Sequence, residues 1–166
     1  LFETVSIPAR PVVAAPDPGY AAPDLSPDQR VAAETLRARA TAGFSVTLVD
    51  GVTGSGKTEV YFEAIAAAIE AGRQVLVLVP EIALTQQFLD RFHDRFGAKP
   101  AEWHSDLSPK MRERVWRQVA EGRVRVVAGA RSALFLPFRE LGLIVLDEDQ
   151  LLCVEPLSFC MGHQPV

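Results

Sequence analysis

The chain has 166 residues, 48% apolar and 23% charged, and this balance is typical of a globular domain with its own core. The composition excludes a chain that is disordered throughout and a fibrous repeat. Because the sequence has neither a bilayer-length apolar run nor a secretory leader, we expect a cytoplasmic protein without a membrane partner. Its two cysteines, Cys153 and Cys160, are too few for a disulfide framework or a four-thiolate zinc site. Since the sequence opens on Leu1, we expect it to begin inside a longer protein.

The net charge of −4 conceals an uneven distribution of charged residues. Between Arg91 and Arg139 there are 11 Lys/Arg against 5 Asp/Glu, an excess of +6 that leaves −10 for the remainder. Such a segment can form a local basic surface for phosphates even in an acidic protein. Ordinary solvated helix faces are the alternative interpretation, and the sequence leaves both open.

The first elements predicted along the chain are a linker and a helix. Half of the 12 prolines fall within the first 27 residues, and we interpret residues 1–24 as an extended proline-rich linker. Ser26 followed by proline, with Gln29 three residues on, is typical of a helix start with a capping box. Apolar residues then recur at helical spacing until Gly43.

From Phe44 onwards, strand and helix patterns alternate. The predicted strands are Phe44–Val49, Val75–Val79, a short segment around Trp103, Val124–Val127 and Leu143–Leu146, and the predicted helices are Glu59–Ala71, Ala83–Phe96 and Met111–Glu121. This order predicts an α/β fold with a doubly wound, mostly parallel sheet and helices on both faces. Residues 151–166 contain no Lys or Arg and show neither helical nor strand periodicity.

A glycine-rich segment, Gly51–Thr58 with the sequence GVTGSGKT, fits the phosphate-binding pattern G-x-x-x-x-G-K-[ST] between a predicted strand and a predicted helix. The glycines let backbone N–H groups point at a phosphate at the positive end of the helix dipole. Lys57 adds a positive charge for the β- and γ-phosphates, and Thr58 offers a hydroxyl to Mg²⁺. The predicted nucleotide-binding residues of this loop are Gly51, Thr53, Gly54, Ser55, Gly56, Lys57 and Thr58.

The predicted strand Leu143–Leu146 leads into Asp147 and Glu148, at the sheet edge where open α/β folds bind ligands. We predict that Asp147 holds Mg²⁺ through water and that Glu148 activates the attacking water, with Lys57 as the third catalytic residue. An acidic loop or helix cap after the strand is the alternative interpretation of this pair.

Five segments resemble, in order and spacing, the first motor lobe of the primosomal replication-restart DNA helicases of superfamily 2, the PriA family. They are Leu25–Gln29, Gly51–Tyr61, Leu78–Thr85, Gly129–Phe135 and Leu143–Glu148. The resemblance covers roughly residues 25–149 and implies a RecA-like P-loop NTPase lobe that binds ATP and Mg²⁺. It further implies a bacterial helicase that moves 3′ to 5′ on single-stranded or forked DNA together with replication-restart and primosome proteins.

The resemblance also implies roles for individual residues. Gln29 matches the glutamine that reads the adenine edge, and a capping role for the same side chain does not exclude this. Thr85, Arg131 and Ser132 match positions that hold the phosphates of a DNA strand, although an ordinary surface arginine is the alternative for Arg131. The family's Glu-His is replaced here by Asp-Gln at residues 149–150, which puts the coupling between hydrolysis and DNA binding in question.

The remainder of the family pattern is absent from this sequence. Residues 151–166 do not resemble the family, and we favour a truncated or frameshifted end over a novel element. The family's zinc-binding cysteine cluster and its second motor lobe have no counterpart here, so we expect nucleotide binding without DNA unwinding. Two other functions are a small P-loop kinase, which the lack of Lys or Arg after Arg139 disfavours, and a non-catalytic fragment that only binds nucleotide or DNA.

Overall fold

The structure is a computed structural model that describes residues 10–52, 54–79, 86–147 and 151–154, the last four through their backbone. The helices are α1 Pro27–Arg39, α2 Lys57–Glu70, α3 Gln86–Phe96, α4 Pro109–Ala120 and a 3-10 helix at Arg131–Phe135. The strands are β1 Ser45–Leu48, β2 Gln74–Leu78, β3 Ala101–Trp103, β4 Val126–Gly129, β5 Leu141–Leu146 and β6 Leu151–Val154. The predicted start of the third helix, Ala83, lies outside the described residues.

Helix α1 begins with the capping box that the sequence predicts. The Ser26 hydroxyl accepts a hydrogen bond from the backbone N–H of Gln29 at 3.3 Å, and the Gln29 side-chain oxygen accepts one from the N–H of Ser26 at 2.8 Å. Two N–H groups that the first turn leaves without helical partners are thereby satisfied. Helix α4 starts similarly, since the Ser108 hydroxyl accepts from the N–H of Met111 at 3.3 Å.

All six strands form one sheet in the order β1-β6-β5-β2-β4-β3. Strands β2, β3, β4 and β5 are mutually parallel, as predicted, while β6 pairs antiparallel with both β1 and β5. Residues 151–154 form a strand although their sequence shows no strand periodicity, so the expectation of no regular element is wrong for these four residues. Because β6 is antiparallel to both of its neighbours, β1 and β5 run in the same direction.

The core lies on both faces of the sheet, as the α/β prediction requires. Val75 and Val77 of β2 pack in one cluster with buried residues of α1, α2 and α3. Leu76 and Leu78, which alternate with them, pack in a second cluster with residues of α4 and of the 3-10 helix. Successive strand residues point to opposite faces, so an uninterrupted apolar strand serves both helical layers.

Aromatic side chains pack α3 against α2, the helix that follows the predicted phosphate loop. The Phe62 ring makes edge contacts with Phe88, Phe92 and Phe96 at centroid distances of 6.2, 5.7 and 5.6 Å. Such pairs contribute about 1 kcal/mol each beyond the apolar area that they bury. The start of α2 is therefore held on a well-packed support.

The segment 10–24, which contains no helix or strand, contacts the lobe at α3 and α4. The N–H of Val12 donates to the Gln118 side chain at 2.8 Å, and Arg95 donates to the carbonyl of Pro18 at 2.8 Å. The interpretation of residues 1–24 as an extended proline-rich linker stays a prediction, and residues 1–9 lie outside the described part of the chain.

Candidate nucleotide-binding site

The carboxyl ends of β1 and β5 lie at the same edge of the sheet because these strands run in the same direction. The predicted phosphate loop follows β1, and Asp147 follows β5 directly. The N–H of Asp147 donates to the carbonyl of Leu78 at 2.9 Å, which fixes the end of β5 against the end of β2. The topology thus places the two predicted parts of the site at one edge, where open α/β sheets bind ligands.

Helix α2 begins at Lys57 without a side-chain cap, and its N-cap residue is Gly56 with φ +79°. Gly54 has φ +82°, which also lies in the left-handed region that a glycine adopts easily. Because no side chain caps the first turn, its N–H groups and the positive end of the helix dipole face outward. This is the local geometry that binds a phosphate group.

The ammonium group of Lys57 turns back over the loop. It donates to the carbonyl oxygens of Gly51 and, at 3.4 Å, of Val52. Within the described part of the chain Lys57 forms no ion pair with a carboxylate. Its charge is therefore held by neutral oxygens that a charged phosphate oxygen can replace.

Gln29 connects α1 to the phosphate loop. Besides its capping contact, its side-chain nitrogen donates to the carbonyl of Ser55 at 2.7 Å. A cleft of about 350 Å³ opens between α1 and the loop, and its lining includes Gln29, Asp50 and Lys57. This volume is within the range of small-ligand pockets. The adenine-reading role of Gln29 stays a prediction, and the side chain lies in the cleft that the role requires.

The acidic side of the site is partly buried. Desolvation raises the pKa of the Asp147 carboxyl above its ordinary value, while the nearby Tyr61 hydroxyl and the positive charges of Arg91 and Lys57 act in the opposite direction. Burial, followed by the negative charge of Asp147, raises the pKa of the Tyr61 hydroxyl, and the nearby Thr58 hydroxyl lowers it. Lys57, Thr58, Tyr61 and Asp147 therefore act on one another electrostatically at this edge.

The residues present fit a Mg²⁺ ion that arrives with a nucleotide. Among the described residues there is no group of three or more His, Cys, Asp or Glu side chains that could hold a metal without other ligands. Mg²⁺ keeps several waters and takes further oxygens from phosphates, so it needs only one or two protein ligands. Thr58 and Asp147 supply a hydroxyl and a carboxylate, and the buried Tyr61 hydroxyl beside them has no hydrogen-bond partner among the described residues.

The other predicted site residues either belong to the 3-10 helix or lie outside the described residues. Arg131 and Ser132 are exposed on the 3-10 helix that follows β4, at the same edge of the sheet as the phosphate loop. Their DNA contacts stay predictions. Thr53, Thr85 and Glu148 lie outside the described residues, so their predicted roles are untested.

Much of the basic excess between residues 91 and 139 is engaged within the chain. The residues of this segment that pair with carboxylates are Arg91 with Glu59, Arg95 with Glu63, Lys99 with Asp90, Arg117 with Glu113 and Arg123 with Glu121. These five pairs favour the alternative of ordinary charged helix surfaces for most of their members. Arg112, Arg114 and Arg125 donate to backbone carbonyls, and phosphate binding by this segment stays a prediction.

Two residues of the site were not predicted as ligands. Tyr61 was noted only as part of a family motif, although its spacing of three residues from Thr58 places both on one side of α2. Arg91 of α3 pairs with Glu59 of α2, and its charge reaches Asp147 and Tyr61. The position of Arg91 depends on how α3 packs against α2, and this packing cannot be predicted from residue spacing.

A sheet with a phosphate loop and an acidic strand end at one edge is the arrangement of a P-loop NTPase lobe. The family model of the DEAD/DEAH box helicases matches residues 26–157, and the chain belongs to this family. It is 48% identical over 130 residues to the replication restart protein PriA of Rickettsia conorii, covering 78% of this chain and 19% of that protein.

Two further relatives are also replication restart proteins. The replication restart proteins PriA of Synechocystis and of Haemophilus influenzae are 48% identical over 128 residues and 50% identical over 108 residues. These matches cover 77% and 65% of this chain and 15% of each relative. The chain therefore spans less than a fifth of the length of the curated relatives it matches. Among the described residues, no helix is long and apolar enough to cross a membrane.

Proposed function

We propose that this chain is the ATP-binding lobe of a replication-restart DNA helicase, in which Mg-ATP hydrolysis drives 3′-to-5′ movement along single-stranded DNA. The proposal depends mainly on one observation. Lys57, Thr58 and Asp147 lie at one edge of the sheet in a chain of the DEAD/DEAH box family. The identity of 48% to a replication restart protein over 78% of the chain supports the more specific role.

The side chains act mainly by positioning and by charge. The N–H groups at the start of α2 bind the β-phosphate, and Lys57 moves from the loop carbonyls to the phosphate oxygens. Thr58 and, through water, Asp147 hold the metal, while Glu148 orients the attacking water. Bound Mg²⁺ supplies neutralisation of the charge that develops on the phosphate oxygens.

The remaining parts of the activity belong to a longer protein. We infer that a second helicase lobe completes the ATP site, because residues from that lobe stabilise the transferring phosphate in such motors. Single-stranded or forked DNA would contact Thr85, Arg131 and Ser132. Replication-restart and primosome proteins would be the partners in a bacterial cytoplasm. Zinc, which the resemblance attributes to the family, has no part in this proposal.

The test is the binding of a fluorescent ATP analogue with Mg²⁺ by the 166-residue chain and by Lys57→Ala. A charge-assisted hydrogen bond contributes about 1.5–3 kcal/mol, so Lys57→Ala should weaken binding roughly 10- to 150-fold. Lys110→Ala, which removes an exposed lysine from the first turn of α4, is the matched control and should bind as the wild type does.

Equal affinities of Lys57→Ala and Lys110→Ala would contradict the assignment of the phosphate loop. A second assay measures unwinding of a forked duplex by the chain alone. We expect no unwinding above background because the second lobe is needed for turnover, and robust ATP-dependent unwinding would overturn that part of the proposal.

A further inference from the structure

We propose that the hydroxyl of Tyr61 links the two Mg²⁺-binding side chains, accepting a hydrogen bond from the Thr58 hydroxyl and donating one to the Asp147 carboxylate. Tyr61 would thus be a positioning residue that orients both groups toward the metal. The inference rests on the function proposed above, and it adds a residue and a hydrogen-bond direction that the phosphate-loop pattern does not contain.

The position of Tyr61 supports this link. It lies on α2 three residues after Thr58, so both side chains are on one face of the helix. The residue is fully buried, and its ring packs edge-on against Phe62 at a centroid distance of 5.3 Å. A ring held in this way carries its hydroxyl at a fixed point, as a positioning group requires.

The state of the hydroxyl is the second observation. The Tyr61 oxygen is buried and has no well-formed hydrogen bond with the residues that the structure describes. A buried polar group without a partner destabilises a fold, and such exceptions in proteins need a reason. Thr58 lies one turn before Tyr61 on α2, and Asp147 follows β5, whose Val145 packs in the same buried cluster as Tyr61. A small movement of either side chain would therefore satisfy the Tyr61 hydroxyl.

The chemistry of a metal-bound hydroxyl explains why an acceptor is needed here. When Thr58 offers an oxygen lone pair to Mg²⁺, its hydrogen must point to another acceptor. The Tyr61 oxygen can accept that hydrogen while its own hydrogen is donated to Asp147.

The proposed link should affect the affinity for Mg²⁺ more than the affinity for the nucleotide. A hydrogen-bonding partner that orients a metal ligand typically changes metal affinity 10- to 100-fold. Removal of the Tyr61 hydroxyl should therefore weaken Mg²⁺ binding, while the nucleotide phosphates keep their contacts with the loop and Lys57. A purely structural tyrosine would affect stability and would change both affinities alike.

The test compares Tyr61→Phe with Tyr20→Phe in the full chain, because these are the two tyrosines of the sequence. Mg²⁺ is titrated at a fixed concentration of a fluorescent ATP analogue, and the same analogue is then titrated in excess EDTA. We expect the half-saturating Mg²⁺ concentration to rise about tenfold in Tyr61→Phe only, with unchanged affinity in EDTA and an unchanged or higher melting temperature. An unchanged half-saturating concentration would overturn the link.

A second measurement uses the wild-type sequence, so its result does not depend on whether the variant folds. With fluorotyrosine incorporated at both tyrosines, ¹⁹F NMR should show a change at Tyr61 but not at Tyr20 when Mg²⁺ is added to the nucleotide complex. No change at Tyr61 contradicts the proposal. If the wild type binds no nucleotide, or binds it independently of Lys57, the proposed function fails. If binding depends on Lys57 and the Tyr61 readouts stay constant, only the link fails.

Discussion

Gly56→Ala tests whether the phosphate loop needs its last glycine for space as well as for backbone conformation. Gly56 has φ +79°, and a Cβ built there would lie 2.3 Å from the side-chain nitrogen of Gln29. Gly54, two residues earlier, has φ +82° and nothing within 4 Å of such a Cβ. Gly54→Ala therefore carries the same backbone strain without the collision and serves as the matched control.

The expected magnitudes follow from these contacts. An L-residue in the left-handed region costs about 1–2 kcal/mol, so Gly54→Ala should lower the free energy of unfolding by that amount. In Gly56→Ala, the Gln29 amide must also move, which breaks its 2.7 Å hydrogen bond to the Ser55 carbonyl. That hydrogen bond contributes about 1 kcal/mol, so the total loss should be about 2–3 kcal/mol.

The assay is urea denaturation followed by tryptophan fluorescence, without nucleotide, for both alanine variants in the wild-type and Gln29→Ala backgrounds. Truncation of Gln29 removes the collision, so Gly56→Ala should cost no more than Gly54→Ala in that background. Equal costs of the two variants beside an intact Gln29 would refute the reasoning. So would a Gly56→Ala cost that Gln29→Ala does not reduce.

Two further predictions concern buried charge. Arg95 is 9% exposed and pairs at 2.6 Å with Glu63, so Arg95→Ala should lower the free energy of unfolding by about 3 kcal/mol, whereas the exposed Arg117→Ala should cost less than about 0.5 kcal/mol. Equal urea midpoints for the two variants would contradict this. Burial raises the pKa of Asp147 above 3.8, so without nucleotide the contribution of Asp147 to the free energy of unfolding falls as pH rises from 3.8 through that higher pKa. Asp147→Asn should therefore be more stable than the wild type at neutral pH, a difference that should vanish below pH 3.8 and whose absence at pH 7 would refute the interpretation.

The parts of the fold that the sequence predicted correctly are governed by local signals. The start of α1 depends on Ser26 and Gln29, three residues apart, and both hydrogen bonds of the predicted capping box are present. The strands β2 and β5 are apolar runs bounded by turns, and the phosphate loop lies between a strand and a helix as its pattern requires. In each case, the residues that decide the structure are neighbours in the chain.

The parts that the sequence did not predict depend on partners far away in the chain. Strand β6 is only four residues long, and besides the neighbouring β5 it pairs with β1, which lies far back in the chain. Gln74 is fully buried, yet its amide bonds four backbone groups, those of Val119, Val124, Arg139 and Glu140. A polar residue at a strand start ordinarily indicates an exposed position, and only the packed fold discloses these partners.

The contacts within the phosphate loop bear on how tightly a nucleotide can bind. Lys57 donates to loop carbonyls, and both ends of the Gln29 amide are engaged, so a nucleotide must replace existing hydrogen bonds. At Lys57 the exchange replaces a bond between the ammonium group and a neutral carbonyl by one in which both partners are charged, and the latter is stronger. The gain is largest at Lys57, whose present acceptors are neutral. If Gln29 reads the adenine edge as predicted, the gain there is smaller, because a neutral amide would exchange one neutral partner for another. Discrimination among nucleotides at the base should accordingly be weaker than recognition of the phosphates.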